Sequence, residues 1–256
     1  MTMLSFINDQ FQKDPKDRES WVHPGRGNVV LVAHNCHVKQ ANDGLSGVAV
    51  CRELSEYPSI VCAEGHGQEH IGNYEFAIYL DGLGTNNTLK CNQTFSGNTK
   101  LDKSAKHVFK ELYPFAHQGF RNDEMRIEQK GVPCLAIHRF PFEEYHTQKD
   151  TPNLIDDKNL EEAKIATTKI LSIMEQNYTV LQGMNWPDAF TRLDKYGLWT
   201  DWHINRPMKD LKELILMNIN EANTVLDIAD NIKEGFFFVK SFIDNLIKAG
   251  ICDKLE

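Results

Sequence analysis

Four short apolar runs, separated by stretches of polar or helical character, constrain this chain more than any other feature. They are Val29-Val30-Leu31-Val32-Ala33, Ser59-Ile60-Val61-Cys62-Ala63, Ala77-Ile78-Tyr79-Leu80 and Cys134-Leu135-Ala136-Ile137. None alternates apolar with polar, so each reads as a strand buried on both faces, which is the mark of a parallel sheet covered by helices. Residues 45–54 and 101–112, lying between the runs, carry apolar side chains at helical spacing. Strand, helix and strand in alternation predict an α/β domain with a mostly parallel, mixed sheet flanked by helices.

The rest of the chain divides around that domain. Residues 1–28 read as a partly ordered lead-in ending in the turn-rich stretch His23-Pro24-Gly25-Arg26-Gly27-Asn28. The α/β domain is expected over 29–176, closing on a long amphipathic helix over 159–176 with Ile165, Ile170, Ile173 and Met174 on one face. Residues 177–206, rich in Trp, Pro, Gly and Asn, read as an irregular connector, and Trp186, Trp199 and Trp202 would line a pocket there or pack the domains together. Over 207–256 the pattern is helical at 211–217, 225–232 and 237–249, with the middle helix starting near Asn223-Thr224 and Gly250 stopping the last. Three short helices suggest a small winged-helix-like domain.

Composition narrows the function. Hydrophobic residues make up 41% and charged residues 25% of 256, enough to bury a core, and the net charge of −8 argues against binding nucleic acid by neutralising phosphates. The helical tail has more Asp and Glu than Lys and no Arg after Arg206, and the run Phe236-Phe237-Phe238-Val239 suits docking on protein, either the first domain or a second subunit in a homo-oligomer. No apolar run approaches a membrane span, and the N-terminal residues lack the pattern of an export signal. The six cysteines form no CxxC pair. Buried reduced thiols in a cytoplasmic protein are therefore expected.

Ligands gather at the C-terminal ends of the strands in an open parallel sheet. Each of the four runs is followed by His, Asp or Glu: His34, His37 and Asp43 after the first, Glu64, His66, Glu69 and His70 after the second, Asp81 after the third, Glu144, His146 and Asp150 after the fourth. Imidazole and carboxylate are the ligands of a zinc ion that keeps a position open for water, whereas a closed structural site would want a Cys cluster. A catalytic metal site is the expectation.

These motifs carry a resemblance. His34-x-Cys36, Ala41-Asn42-Asp43-x-x-Ser46-Gly47, Glu69-His70-Ile71-Gly72, Asp81-x-x-Gly84 and Tyr145-His146-Thr147-x-x-Asp150-Thr151 stand in the order seen in the co-catalytic zinc aminopeptidases of the bacterial leucyl aminopeptidase and glutaminyl cyclase superfamily. More narrowly, from about Trp21 onward the chain resembles the aminopeptidase-like proteins found with bacterial surface-polysaccharide genes, which end in a winged helix. The resemblance implies one or two zinc ions, with Asp43 bridging, His34 and Asp81 holding one position, and His70 and His146 the other. It implies a hydrolase in which metal-activated water attacks an amide-like bond of a small-molecule or peptide-like substrate, with Glu69 as the general base.

The chain departs from the family at three places: Cys36 stands where an Asp is common, His70 where a second Glu is common, and the gap from His70 to Asp81 leaves little room for the usual helix before the third strand. A non-catalytic metal- or carbohydrate-binding protein on the same scaffold is the alternative reading. His37, His66 and Glu64 are spare candidate ligands, and Asp123 or Glu124 stands where the family has a further short motif. Asp150 is expected to fix the His146 loop by hydrogen bonds, and Tyr145 either donates to a developing oxyanion or packs on that loop.

Overall fold

The computed structural model describes residues 1–62, 68–120 and 122–255, with the side chains of Cys62, Gln68 and Glu69 left aside. Its described residues form two compact units, Met1–Leu171 and Ser172–Glu256.

In the first unit the four apolar runs become four strands: β2 (Val29–His34), β3 (Ser59–Cys62), β4 (Phe76–Leu80) and β6 (Cys134–His138). They pair in parallel in the order β3-β2-β4-β6. Two three-residue strands, β1 (Trp21–His23) and β5 (Lys90–Asn92), add antiparallel edges to make six strands. All side chains of β2, β4 and β6 are buried, which is why their sequence shows no alternation.

The period of two within those strands still sorts the core into two layers. Val30, Val32, Ala77, Tyr79, Cys134 and Ala136 share one face with Phe120, and with Ile127 of α4 (Asp123–Gln129). On the other side α2 (Leu45–Glu53) packs on β2 and β4, and α1 (Met3–Phe11) packs on α2. Each buried Val, Ile or Leu of this sheet contributes roughly 1.5–3 kcal/mol relative to an exposed one.

Three details differ from the sequence reading. The lead-in is part of the fold, because Phe6 and Ile7 of α1 are buried and β1 pairs with β3. The helix expected over 101–112 is shorter, α3 (Lys100–Lys106), because the chain is drawn back to the sheet edge: Tyr113 N–H donates to Cys91 O and Gln93 N–H to Tyr113 O. In α5 (Asp157–Gln176) Ile165 is exposed, while Leu160, Ala163, Thr167 and Ile170 are buried. At about 100° per residue Ile165 and Ile170 stand about 140° apart, so they do not share a face.

The second unit holds α6 (Trp202–Met217), α7 (Val225–Ile232) and α8 (Phe236–Lys248), and an antiparallel pair, β7 (Thr179–Gln182) with β8 (Cys252–Leu255). A capping box starts α7, with Thr224 and Asp227 satisfying each other's backbone N–H. Gly250, at φ +68°, follows the end of α8. Part of the expected connector therefore belongs to this unit: β7 draws residues 179–182 into it. No helix among the described residues is long and apolar enough to cross a membrane.

Candidate metal centre

The site lies where the sheet geometry puts ligands, at the C-terminal ends of β2 and β4. His34 is the last residue of β2 and Asp81 directly follows β4. The loop after β2 carries Cys36 and His37 and is pinned from below. Buried Arg18 donates through Nη1 to Asn35 O (2.9 Å) and His37 O (2.7 Å), and Asn35 Nδ2 donates to Glu19 O and Ser20 Oγ.

Asp43 is held at the start of α2 by a set of local constraints. Its own N–H and that of Asn42 donate to the two carboxylate oxygens of Asp150, at 3.0 and 2.7 Å. Asn42 Oδ1 accepts from Gly84 N–H (2.7 Å), and Ser46 Oγ accepts from Leu83 N–H (2.9 Å). The Asn42-Asp43-x-x-Ser46-Gly47 motif thus ties the start of α2 to the loop after β4. Gly44 has φ +88°, and a Cβ there would lie 2.5 Å from His34 O, so glycine is required. Its N–H donates to Asp81 Oδ1 at 2.7 Å. Asp150 thus ties the His146 loop to the backbone at Asn42 and Asp43, and Gln40 Nε2 donates to Thr147 O in the same loop.

Around Asp43 the donor atoms converge. His34 Nε2 lies 3.1 Å from Asp43 Oδ1 and 3.4 Å from Asp81 Oδ2. His146 Nε2 is 3.1 Å from Asp43 Oδ2, and His37 Nε2 is 3.8 Å from Asp43 Oδ1, the oxygen that His34 also approaches. Two groups of three result, His34–Asp43–Asp81 and His37–Asp43–His146, each with its donor atoms within 4.8 Å of one another. Cys36 joins a third such group with His34 and His37, its Sγ lying 3.4 Å from His34 Nδ1.

The convergence has the dimensions and direction of metal coordination. Two donors bound to one zinc at about 2.1 Å in tetrahedral geometry stand about 3.4 Å apart. His34 Nε2 and Asp43 Oδ2 are both buried, and neither makes a hydrogen bond with the described residues in spite of these short approaches. Buried polar atoms left without a bond are costly unless something else satisfies them. Three imidazoles and two carboxylates fit a divalent ion that accepts nitrogen and oxygen.

The electrostatics agree with a site designed to hold positive charge. Burial alone would lower the His34 pKa, but Asp81 and Asp43 beside it outweigh burial and hold it well above the ordinary value. Asp43 goes the other way: burial opposes its charge, and His34, His37 and His146 still keep its pKa below the usual carboxylate value. Burial raises Asp81, with His34 offsetting part of the shift.

Aromatic rings back two of these imidazoles. Tyr79 stacks on His34 at 6.1 Å, and Tyr145 stacks on His146 at 4.0 Å. Burial pushes the Tyr145 hydroxyl up to about 12, with Asp43 and Asp81 adding to it. His146 itself has φ +56°, a left-handed conformation that costs a non-glycine residue roughly 1–2 kcal/mol.

The structure thus brings His34, Asp43, Asp81 and His146 together. His70 sits exposed on the 3-10 turn Gln68–Asn73 and belongs to none of the three groups. His37 takes part in its stead on the His146 side. The Glu69 side chain and the whole of Glu64 and His66 lie outside the described residues. Glu124 is buried, with both carboxylate oxygens accepting the Asn122 N–H, and burial raises its pKa to about 7. Asn122, which the sequence reading passed over, donates from Nδ2 to Asp81 Oδ2 at 2.9 Å. A pocket of about 260 Å³ opens beside the cluster, lined by His34, His37 and His146 on one side and Asn122, Asp123 and Arg126 on the other.

Comparison with known proteins agrees with this fold. A family described as "Domain of unknown function (DUF4910)" matches residues 58–177. A Clostridium acetobutylicum protein named "Putative polysaccharide biosynthesis protein with aminopeptidase-like domain" is 22% identical over 249 residues, covering 86% of this chain and 57% of its own length. A crystal structure described as "putative peptidase" from the same organism superposes with a TM-score of 0.75 at 20% identity, covering 92% of this chain and 60% of that one. The chain therefore spans less than two thirds of the length of either relative. A zinc aminopeptidase from Bacillus subtilis aligns more loosely, with a TM-score of 0.46 and 21% identity over 62% of this chain and 48% of its own. The chain shares its fold with that putative peptidase, and its curated relative is named for an aminopeptidase-like domain.

Proposed function

We propose that the chain is a zinc-dependent hydrolase of the aminopeptidase-like type, acting on an amide-like bond of a small or peptide-like substrate. The observation that carries this reading is the convergence of His34, Asp81, His37 and His146 on Asp43, with two buried donor atoms left without hydrogen bonds to the described residues. His34, Asp43 and Asp81 would hold one ion and His37, Asp43 and His146 a second, with Asp43 shared. A bound zinc polarises a carbonyl and lowers the pKa of water from 15.7 toward ~7. The protein's own groups then have defined tasks. Glu69, on the turn after β3, accepts the proton of the attacking water, and Asp150 keeps Asp43 in place through the backbone. Tyr145, stacked on His146 and with its proton retained at neutral pH, donates to the developing oxyanion.

The exposed position of His70 favours a second reading, a metal- or carbohydrate-binding protein without turnover, because the site then lacks the ligand next to the expected base. One experiment separates the two. Elemental analysis of purified wild type is expected to give zinc, reduced in His146→Ala. Glu69→Gln is expected to keep the metal and lose hydrolysis of amide, ester and N-acyl sugar probes. Metal-loaded wild type that turns over none of these at any pH overturns the hydrolase and leaves the binding protein.

A further inference from the structure

We infer that the substrate of this site bears a carboxylate near the scissile bond, and that Arg126 is the residue that selects it. The inference rests on the hydrolase reading and deepens it. Arg126 lies on α4 in the wall of the pocket that opens onto His34, His37 and His146. Among the described residues lining that pocket it is the one permanently charged cation. Its guanidinium presents a planar fork of five N–H donors that matches a carboxylate in a bidentate way.

The start of this helix is fixed beside the cluster. Asn122 Nδ2 is bonded to Asp81 Oδ2, and the Asn122 N–H is gripped by both oxygens of buried Glu124. Arg126 and Asn122 both line the pocket that His34, His37 and His146 border. Asp123 Oδ1 lies 3.5 Å from Arg126 Nη1, in a pair that leaves the arginine side chain 48% exposed. Solvent weakens such a pair, so a substrate carboxylate competes with it or shares the fork. The pocket, at about 260 Å³, has room for one residue-sized group with its carboxylate.

The test is calorimetric binding to the zinc-loaded full chain, with N-acetylglycine and N-acetylglycinamide as probes and zinc content measured for every variant. Wild type is expected to bind the acid more tightly than the amide. Arg126→Gln is expected to weaken the acid about tenfold to a hundredfold, leave the amide nearly unchanged, and be partly rescued by Arg126→Lys. Asp123→Asn, which removes the competing carboxylate, is expected to tighten the acid. A wild type without preference, a preference that survives Arg126→Gln because the acid sits on the metal, or an acid weakened by Asp123→Asn overturns the inference while the hydrolase stands. A protein that takes up no zinc sinks both.

Discussion

Asp43 is the residue on which both halves of the cluster depend, because each of its carboxylate oxygens faces a different imidazole. Asp43→Asn removes the shared charge and is expected to abolish zinc uptake altogether. His37→Ala is expected to lower the zinc content, whereas His70→Ala is expected to leave it at the wild-type level. Metal analysis of the three variants checks the reassignment, and a loss in His70→Ala with none in His37→Ala would reverse it. Glu124 supplies a pH dependence. Its folded pKa of about 7 stands above the ordinary value of 4.5, so the folded state keeps a proton that the unfolded state has lost. Stability therefore falls as pH rises from 4.5 to about 7, by an amount approaching 1.4 kcal/mol per unit, about the energy of one pKa unit. Glu124→Gln is expected to flatten that slope in urea unfolding measured across the window.

At the scale of elements, the joint between α2 and β4 positions the site. A Cβ on Gly47 would lie 1.9 Å from Leu80 O, so α2 packs on β4 with no room for a side chain. Gly47→Ala must lift the helix that begins beside Asp43 away from the strand that ends beside Asp81. Overpacking of this kind costs typically 1–3 kcal/mol, and here at least about that much is expected. The expected result is a lower melting temperature together with weaker zinc binding, whereas a variant that melts lower but binds zinc as before would separate the joint from the site. In the second unit Thr224→Ala removes the cap of α7 and is expected to cost about 1 kcal/mol without affecting zinc, as read by chemical unfolding and metal titration.

For the whole molecule, the two units predict an uneven response to metal. An ion that binds only the folded state stabilises it by mass action. Chelation is expected to speed hydrogen exchange across β2, β4 and the loops around Asp43 and His146, and to leave α7 and α8 unchanged; equal loosening of both units would contradict a site confined to the first. The sequence determined much of this. Runs such as Val29–Ala33 are legible as parallel strands because burial on both faces leaves no place for polar alternation, and the His, Asp and Glu at their ends follow from strand direction alone. The short edges β1 and β5 were not legible, because three residues carry no period and exist as strands only by pairing. Only the tertiary structure brings His37 to Asp43 and His146 and leaves His70 outside the three groups found among the described residues, since adjacency along the chain says nothing of where a loop turns. The pinning of the β2 loop by Arg18, 17 and 19 residues before its partners Asn35 and His37, is a bond between segments that only the folded sheet brings within reach.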